Sequence, residues 1–236
     1  MKLESFKNFV DDPEGALLEI ADRLLGEVKS YPTDLYTAPI INRAMAINDA
    51  YFKLIKSKNY TTAFSYIRLQ IDNCLACYAG VLVKDPLALV NHFLANKDLY
   101  RFKDARRNNL YPKYLVQEMN KEFPKMKVGY EYYNNYIHFS NEHFKTSNYM
   151  ENNRIYINMF EDDFCEPKII NIHTTNLWIY NKIIAQILLY FWLIDKKEQL
   201  KFIEDEVRSG KSVAEVQRAI TNKYQYIKDA FKADTN

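Results

Sequence analysis

Apolar residues recur at every third or fourth position along most of the chain, a pattern typical of helices that bury one face. Pro13 suits the first turn of a helix, and Ser212 with Glu215 predicts a capping box at the start of another. Gly210 is placed to end the helix before that box. The predicted helices cover residues 13–25, 39–57, 61–83, 86–93, 112–123, 127–145, 175–207 and 212–231.

The pattern changes between residues 154 and 172. From Arg154 to Phe160 apolar and polar residues alternate, and Lys168 to Ile172 is rich in isoleucine, so both segments are predicted to be strands. The acidic stretch between them would form the turn. The sequence therefore predicts a mainly α protein: a single-domain helical bundle over residues 1–236, with one peripheral β-hairpin at about 154–172.

The segments 61–83 and 175–207 are apolar around most of their circumference, so they are predicted to form the centre of the bundle. A chain of 236 residues fits one hydrophobic core. Asn181, Lys182 and Gln186 interrupt the most apolar stretch. These polar residues favour a buried helix over a membrane span, and no membrane partner is expected.

Charge and cysteine content narrow the expected partners and compartment. Thirty-two basic and 30 acidic residues give a net charge of +2, so any binding of an anion must be local. Three cysteines fit reduced thiols better than a disulfide framework. The first residues, Met1 to Phe6, lead directly into charged positions without the apolar stretch of a signal peptide, so a cytoplasmic location is expected.

Polar residues within the apolar 61–83 helix form the first candidate site. Arg68 and Asp72 are four residues apart, close enough for an ion pair on one helix face, and Gln70 and Asn73 lie further round. One interpretation is a structural ion pair. If the helix is buried, the pair needs further hydrogen-bond partners, and the same groups are then candidates for binding or catalysis.

The 127–145 helix carries the second candidate site on a continuous polar stripe. His138 and Glu142 are four residues apart, and a carboxylate there would orient the imidazole of a general acid or base. Tyr136 and Ser140 flank His138 and are candidate binding residues. The alternative is a solvated helix face with an incidental histidine. We predict that Arg68 and His138 belong to one polar cluster between neighbouring helices, with Asp72 as the partner of the arginine and this stripe as the source of further acceptors.

The segment from Lys97 to Lys113 is locally basic, with aromatic residues between its cations. This composition suits contact with single-stranded nucleic acid or a phosphorylated ligand, although a loop kept soluble by its charges has the same composition. The candidate binding residues in it are Arg101, Arg106 and Arg107.

Spacing argues against a metal ion or another cofactor. His138 and His143 lie on different sides of a helix, so they cannot easily share one metal ion. Cys74 and Cys77 form one pair of thiols in an apolar helix, with no second pair for zinc. We therefore expect no metal site and no cofactor.

The segments Arg68-Leu69-Gln70-Ile71-Asp72-Asn73 and Tyr136-Ile137-His138-Phe139-Ser140 together resemble a family of uncharacterised bacterial helical proteins, many of them encoded near mobile elements. They are also loosely similar to the HEPN-like bundles of bacterial defence. The resemblance covers about residues 40 to 200. HEPN ribonucleases place an arginine four to six residues before a histidine, a spacing that none of the four histidines here has. That chemistry would therefore require Arg68 and His138 to meet across helices.

Two hypotheses follow. In the first, the protein is a metal-independent phosphodiesterase of defence type that acts on RNA or a nucleotide. His138 would move a proton, Arg68 would stabilise phosphate charge, and Asp72, Asn73 and Glu142 would position them. In the second, it is a non-catalytic helical module that binds a ligand or partner. The expected partners are RNA, a nucleotide or a second copy of the chain.

Overall fold

The fold is mainly helical, which confirms the prediction from the sequence. A computed structural model describes residues 15, 32–138, 140, 148–151, 154–157, 165–212 and 215. Within these residues the helices are α1 (Pro32–Lys56), α2 (Tyr60–Leu82), α3 (Pro86–Leu94), α4 (Pro112–Glu122), α5 (Met126–Asn134) and α6 (Pro167–Arg208). Two short strands, β1 (Asn148–Glu151) and β2 (Arg154–Ile157), pair antiparallel.

Helix α2 lies at the centre, as predicted, and packs against α1, α4, α5 and α6. Ile67, Ile71 and Cys74 along its length have no exposed surface. Ile184 and Ile187 of α6 are equally buried, so the second helix predicted to be central also contributes to the core. Both helices are apolar around most of their circumference, so the hydrophobic effect favours their burial in the core.

Asn181, one of the polar residues that interrupt the apolar stretch of α6, is paired inside the protein. Asn181 donates from Nδ2 to Asn48 Oδ1 at 2.9 Å and accepts from the amide of Gln70, which links α1, α2 and α6. All three side chains are buried, and their mutual hydrogen bonds offset part of the cost of removing them from water. Among the residues that the structure describes, no helix has the length and apolarity needed to cross a membrane.

Local signals place the shorter helices. Asp85 caps α3 by accepting from the backbone N–H groups of Leu87 and Ala88, and Pro86 occupies the first turn. Pro112 begins α4 in the same way. Ser212 and Glu215 make the reciprocal contacts of the predicted capping box, because each accepts from the other's backbone N–H.

The strand predicted at Lys168 to Ile172 is wrong, since these residues form the first turns of α6. Pro167 stands at the first helical position, and the Glu166 carbonyl accepts from the backbone N–H groups of Ile169 and Ile170. The start signal of a proline in the first turn outweighs the strand preference of the isoleucines. The hairpin instead pairs 148–151 with 154–157, so only its second strand falls in the predicted range.

The predicted 127–145 helix is too long, because α5 ends at Asn134. Asn135 and Tyr136 then donate to the carbonyls of Tyr132 and Tyr133, three residues back, which tightens the chain into a turn. Consecutive asparagines favour such a turn, since their side chains compete with helical hydrogen bonding. Segments 13–25 and 212–231, predicted to be helical, lie almost wholly outside the described residues, as does Glu142.

Candidate functional site

Arg68 lies near the middle of α2 and is enclosed by its neighbours. Its side chain is only 5% exposed and pairs through Nη1 with the carboxylate of Asp72, one helical turn later. The guanidinium carbon lies 3.9 Å from the centre of the Tyr130 ring, and Nε donates to Asn134 Oδ1 at 3.4 Å. Asn134 of α5 thus supplies the acceptor from a second helix that was expected for Arg68.

These contacts engage the guanidinium group of Arg68 with other parts of the protein. A guanidinium stacked on an aromatic ring and paired with a carboxylate gains both cation–π and Coulomb attraction in a partly dry environment. To bind a phosphate, Arg68 would first have to release Asp72 and emerge from beneath Tyr130. This arrangement fits a structural link between α2 and α5 better than a role for Arg68 in binding an anion.

His138 lies beyond the end of α5, and its side chain is exposed. Its backbone N–H donates to the Asn134 carbonyl at 3.3 Å, so Asn134 connects the His138 backbone to the Arg68 side chain. Among the described residues, no hydrogen bond or ion pair joins the side chains of Arg68 and His138. The two residues are thus near one another along the fold, but they do not form a shared catalytic geometry.

The other residues predicted around this site have separate structural contacts. Gln70 is buried against Asn181, and Asn73 donates to the Ile40 carbonyl at 2.9 Å. Tyr136 packs edge-on against Phe64, with ring centres 5.6 Å apart. Ser140 donates to the Asn135 carbonyl at 2.6 Å. These contacts hold helices and a turn in place and do not converge on one opening.

A second cluster, absent from the predictions, surrounds His173 of α6. The imidazole stacks on Phe64 with ring centres 3.6 Å apart, and Nδ1 lies 2.9 Å from the Tyr133 hydroxyl. Asn176 donates to that same hydroxyl, which leaves the hydroxyl hydrogen to point at Nδ1. Burial lowers the pKa of His173 to about 4, so the ring is neutral at physiological pH. Because the sequence predicts a strand at 168–172, it does not place this histidine on a buried helix face.

The segment 97–113, called here the basic loop although its last two residues begin α4, is held in a defined shape by Asp104. Its buried carboxylate accepts from the backbone N–H groups of Arg106 and Asn108 at 2.9 and 2.7 Å, and from the Tyr114 hydroxyl. Desolvation raises the pKa of this carboxyl, but the hydrogen bonds from Tyr114, Asn108 and Arg106 outweigh it, so the net pKa is lowered. The ionised carboxylate therefore stabilises the turn.

Arg106 anchors the basic loop to α4. Its Nη2 donates to Glu118 Oε2 at 2.6 Å and to the Tyr114 hydroxyl at 2.8 Å. Glu118 also pairs with Lys121 at 2.6 Å. Of the three arginines predicted to bind a ligand, Arg106 thus has a structural partner that a ligand would need to displace.

Exposed cations surround this fixed turn. Arg101 lies 3.6 Å from Asp98, whereas no ion pair in residues 32–138 involves Lys103, Arg107 or Lys113. All four cations are exposed. The basic loop therefore presents positive charge on a backbone that internal hydrogen bonds hold in place, which favours anion binding.

Two tyrosines complete the surface of the basic loop. The rings of Tyr100 and Tyr111 stack with centres 5.9 Å apart and planes 13° apart, while 40% and 50% of their respective surfaces stay exposed. The sequence shows aromatic residues among the cations but gives no sign that these two meet. Their stacking depends on the path of the loop between them.

Comparison of the chain with protein-family models, with curated proteins and with solved structures finds no significant match. Within the described part of the chain, no group of three or more His, Cys, Asp or Glu side chains is arranged to hold a metal ion.

Proposed function

We propose that the protein is a non-catalytic helical module that binds a phosphate-bearing ligand through the basic loop. The observation that carries the proposal is the exposed charge of Lys103 and Arg107 beside the turn fixed by Asp104, and of Lys113 in the first turn of α4. None of the three has an ion-pair partner within residues 32–138. With a net charge of only +2, the whole molecule attracts anions weakly. A local concentration of cations is therefore the feature most able to select a polyanion.

The loop is suited to binding because its shape exists before a ligand arrives. Asp104 and the Arg106–Glu118 pair fix the backbone, so little conformational entropy is lost when the cations meet phosphates. The neighbouring Arg101 adds a fourth cation, and its 3.6 Å contact with Asp98 is loose enough to exchange for a phosphate.

Arg107 occupies an uncommon backbone conformation. Arg107 has φ of 67°, in the left-handed region that glycine and asparagine occupy at lower cost. An arginine in this conformation costs about 1 kcal/mol of strain. Lys58 and Lys125 adopt positive φ as well, so this conformation by itself does not mark a binding residue, and the proposal rests on the exposed charge of Arg107.

The geometry gives less support to the phosphodiesterase hypothesis. Arg68 is covered by Tyr130 and paired with Asp72, while the side chain of His138 is exposed and is not bonded to Arg68. A role in bacterial defence, a cytoplasmic location and a second copy of the chain as partner stay predictions. The absence of phosphodiester cleavage by the wild-type protein, under conditions where it binds the substrate, would separate the two hypotheses.

Binding of short inorganic polyphosphate to the full chain at low salt tests the proposal. The Lys103→Glu/Arg107→Glu variant should bind at least about tenfold more weakly, because two phosphate contacts become repulsive. The matched control, Lys168→Glu/Lys201→Glu, changes the net charge equally at exposed positions of α6. Equal losses in the two variants, or no binding by the wild type, would contradict a site at the basic loop.

A further inference from the structure

We infer that the ligand is single-stranded nucleic acid, with a base stacked on the Tyr100–Tyr111 pair and its phosphates against the cations of the basic loop. This inference rests on the proposed function and names the class of its ligand. Charge alone would select any polyphosphate. The exposed tyrosine pair adds an apolar, planar surface that inorganic phosphate cannot use.

The backbone of the loop sets up the tyrosine pair. Lys103 and Asn109 form an antiparallel bridge, and Leu110 donates to the Phe102 carbonyl at 3.1 Å. This short ladder brings the chain before Lys103 alongside the chain after Asn109, so Tyr100 and Tyr111 meet across it. The stack is therefore built into the loop before a ligand arrives.

The exposure of the pair points to a planar partner. Tyr100 and Tyr111 keep 40% and 50% of their surfaces exposed while their rings stack nearly parallel. Asn109 Nδ2 lies 3.4 Å from the Tyr111 hydroxyl and helps to hold that ring. A nucleobase can extend such a stack, and base–aromatic stacking tolerates any sequence.

The positions of the cations fit a strand that passes over the stack. Arg101 directly follows Tyr100, with its guanidinium carbon 5.8 Å from the ring centre, and Lys113 follows Tyr111 by two residues. A phosphate next to a stacked base would therefore meet the positive charge of Arg101. In a duplex the base faces are covered by neighbouring base pairs, so the inference predicts a preference for single strands.

Fluorescence anisotropy with the full chain tests the inference, using three probes at one low salt concentration. The probes are single-stranded oligouridylate, the same strand annealed to oligoadenylate, and inorganic polyphosphate as a competitor. Wild type should bind the single strand at least about fivefold more tightly than the duplex. Tyr111→Ala should weaken single-strand binding about tenfold and leave polyphosphate binding unchanged, because only the base contact is lost.

Two further variants test whether the aromatic ring of Tyr111 itself accounts for the loss of binding. Tyr111→Phe keeps the ring and should retain most of the affinity for the single strand. Phe52→Ala removes an exposed aromatic side chain of α1, away from the basic loop, and should have no effect. Thermal melts confirm that each variant is folded.

The outcomes distinguish this inference from the proposed function. If the protein binds polyphosphate but binds the duplex and the single strand with equal affinity, the inference is overturned and the proposed function stands. The same holds if Tyr111→Ala has no effect on single-strand binding. Polyglutamate, added as a further competitor, tests for an acidic protein partner, and its binding more tightly than the single strand would overturn the inference. A failure to bind any phosphate-bearing probe would overturn both.

Discussion

The guanidinium of Arg68 lies against the Tyr130 ring, 3.9 Å from its centre, and joins the middle of α2 to α5. Asp72 neutralises it from its own helix, and Asn134 supplies an acceptor from the other. A charged side chain in a mainly apolar helix is thus neutralised from one element and makes contacts with a second. The relationship explains why polar residues occur in a core helix without requiring a catalytic role for them.

Replacing Asp72 with alanine should destabilise the protein by about 2 kcal/mol, because the buried guanidinium of Arg68 loses its counterion. Asp72 is 34% exposed, so water replaces part of the lost interaction and the loss stays below that of a fully buried pair. Asp49→Ala is the matched control, since Asp49 pairs with Lys53 at the same helical spacing on an exposed surface. Chemical denaturation should show a loss of less than about 0.5 kcal/mol for the control. Equal losses would place Arg68 in solvent.

Gly80→Ala should destabilise the protein although alanine is the better helix former. A Cβ at this position of α2 would lie 2.8 Å from Phe191 and 2.9 Å from Tyr36, so both rings would have to shift. We expect a net loss of about 1–2 kcal/mol in free energy of unfolding. At the exposed Ala46 of α1 the preference should reverse, with Ala46→Gly costing about 1 kcal/mol. A stabilised Gly80→Ala variant would contradict the close approach of α1 and α6 to α2.

The stability of the protein should depend on the protonation of His173 under acid conditions. Burial lowers the pKa of His173 from 6.5 to about 4, so between these values the unfolded chain binds a proton that the folded protein excludes. This contribution to stability is complete above pH 6.5 and falls by about 2–3 kcal/mol as the pH drops towards 4. Denaturation of His173→Phe at several pH values should lack that part of the acid dependence. The exposed His138→Gln variant should keep it, and identical profiles for wild type and His173→Phe would exclude a buried imidazole.

Arg107→Asn should weaken binding of polyphosphate about three- to tenfold without lowering the melting temperature. Asparagine tolerates the left-handed backbone that Arg107 adopts, so the substitution removes the charge and keeps the turn. Calorimetry measures the binding of polyphosphate, and thermal melts of the same sample measure the melting temperature. A fall in melting temperature with unchanged binding would assign Arg107 to folding instead.

The sequence predicts the helices well where burial is one-sided or complete, as in α2 and in the Leu177–Ile187 part of α6. The prediction is wrong where a local signal that starts or stops a helix opposes the intrinsic secondary-structure preference of the residues. Pro167 starts a helix through isoleucines that resemble a strand, and the asparagines at the end of α5 stop a helix whose polar stripe continues. The Arg68–Asp72 pair follows directly from helical spacing, whereas the tyrosine stack depends on a loop path that periodicity does not encode.

The salt dependence of polyphosphate affinity tests the central proposal most directly. If phosphates meet the cations of the basic loop, the logarithm of the association constant should fall linearly with the logarithm of salt concentration. The Lys103→Glu/Arg107→Glu variant, which loses two phosphate contacts, should show a shallower slope, because fewer counterions are released on binding. The Lys168→Glu/Lys201→Glu control should keep the wild-type slope. A wild-type affinity that does not change with salt, or the same slope in all three proteins, would contradict the account.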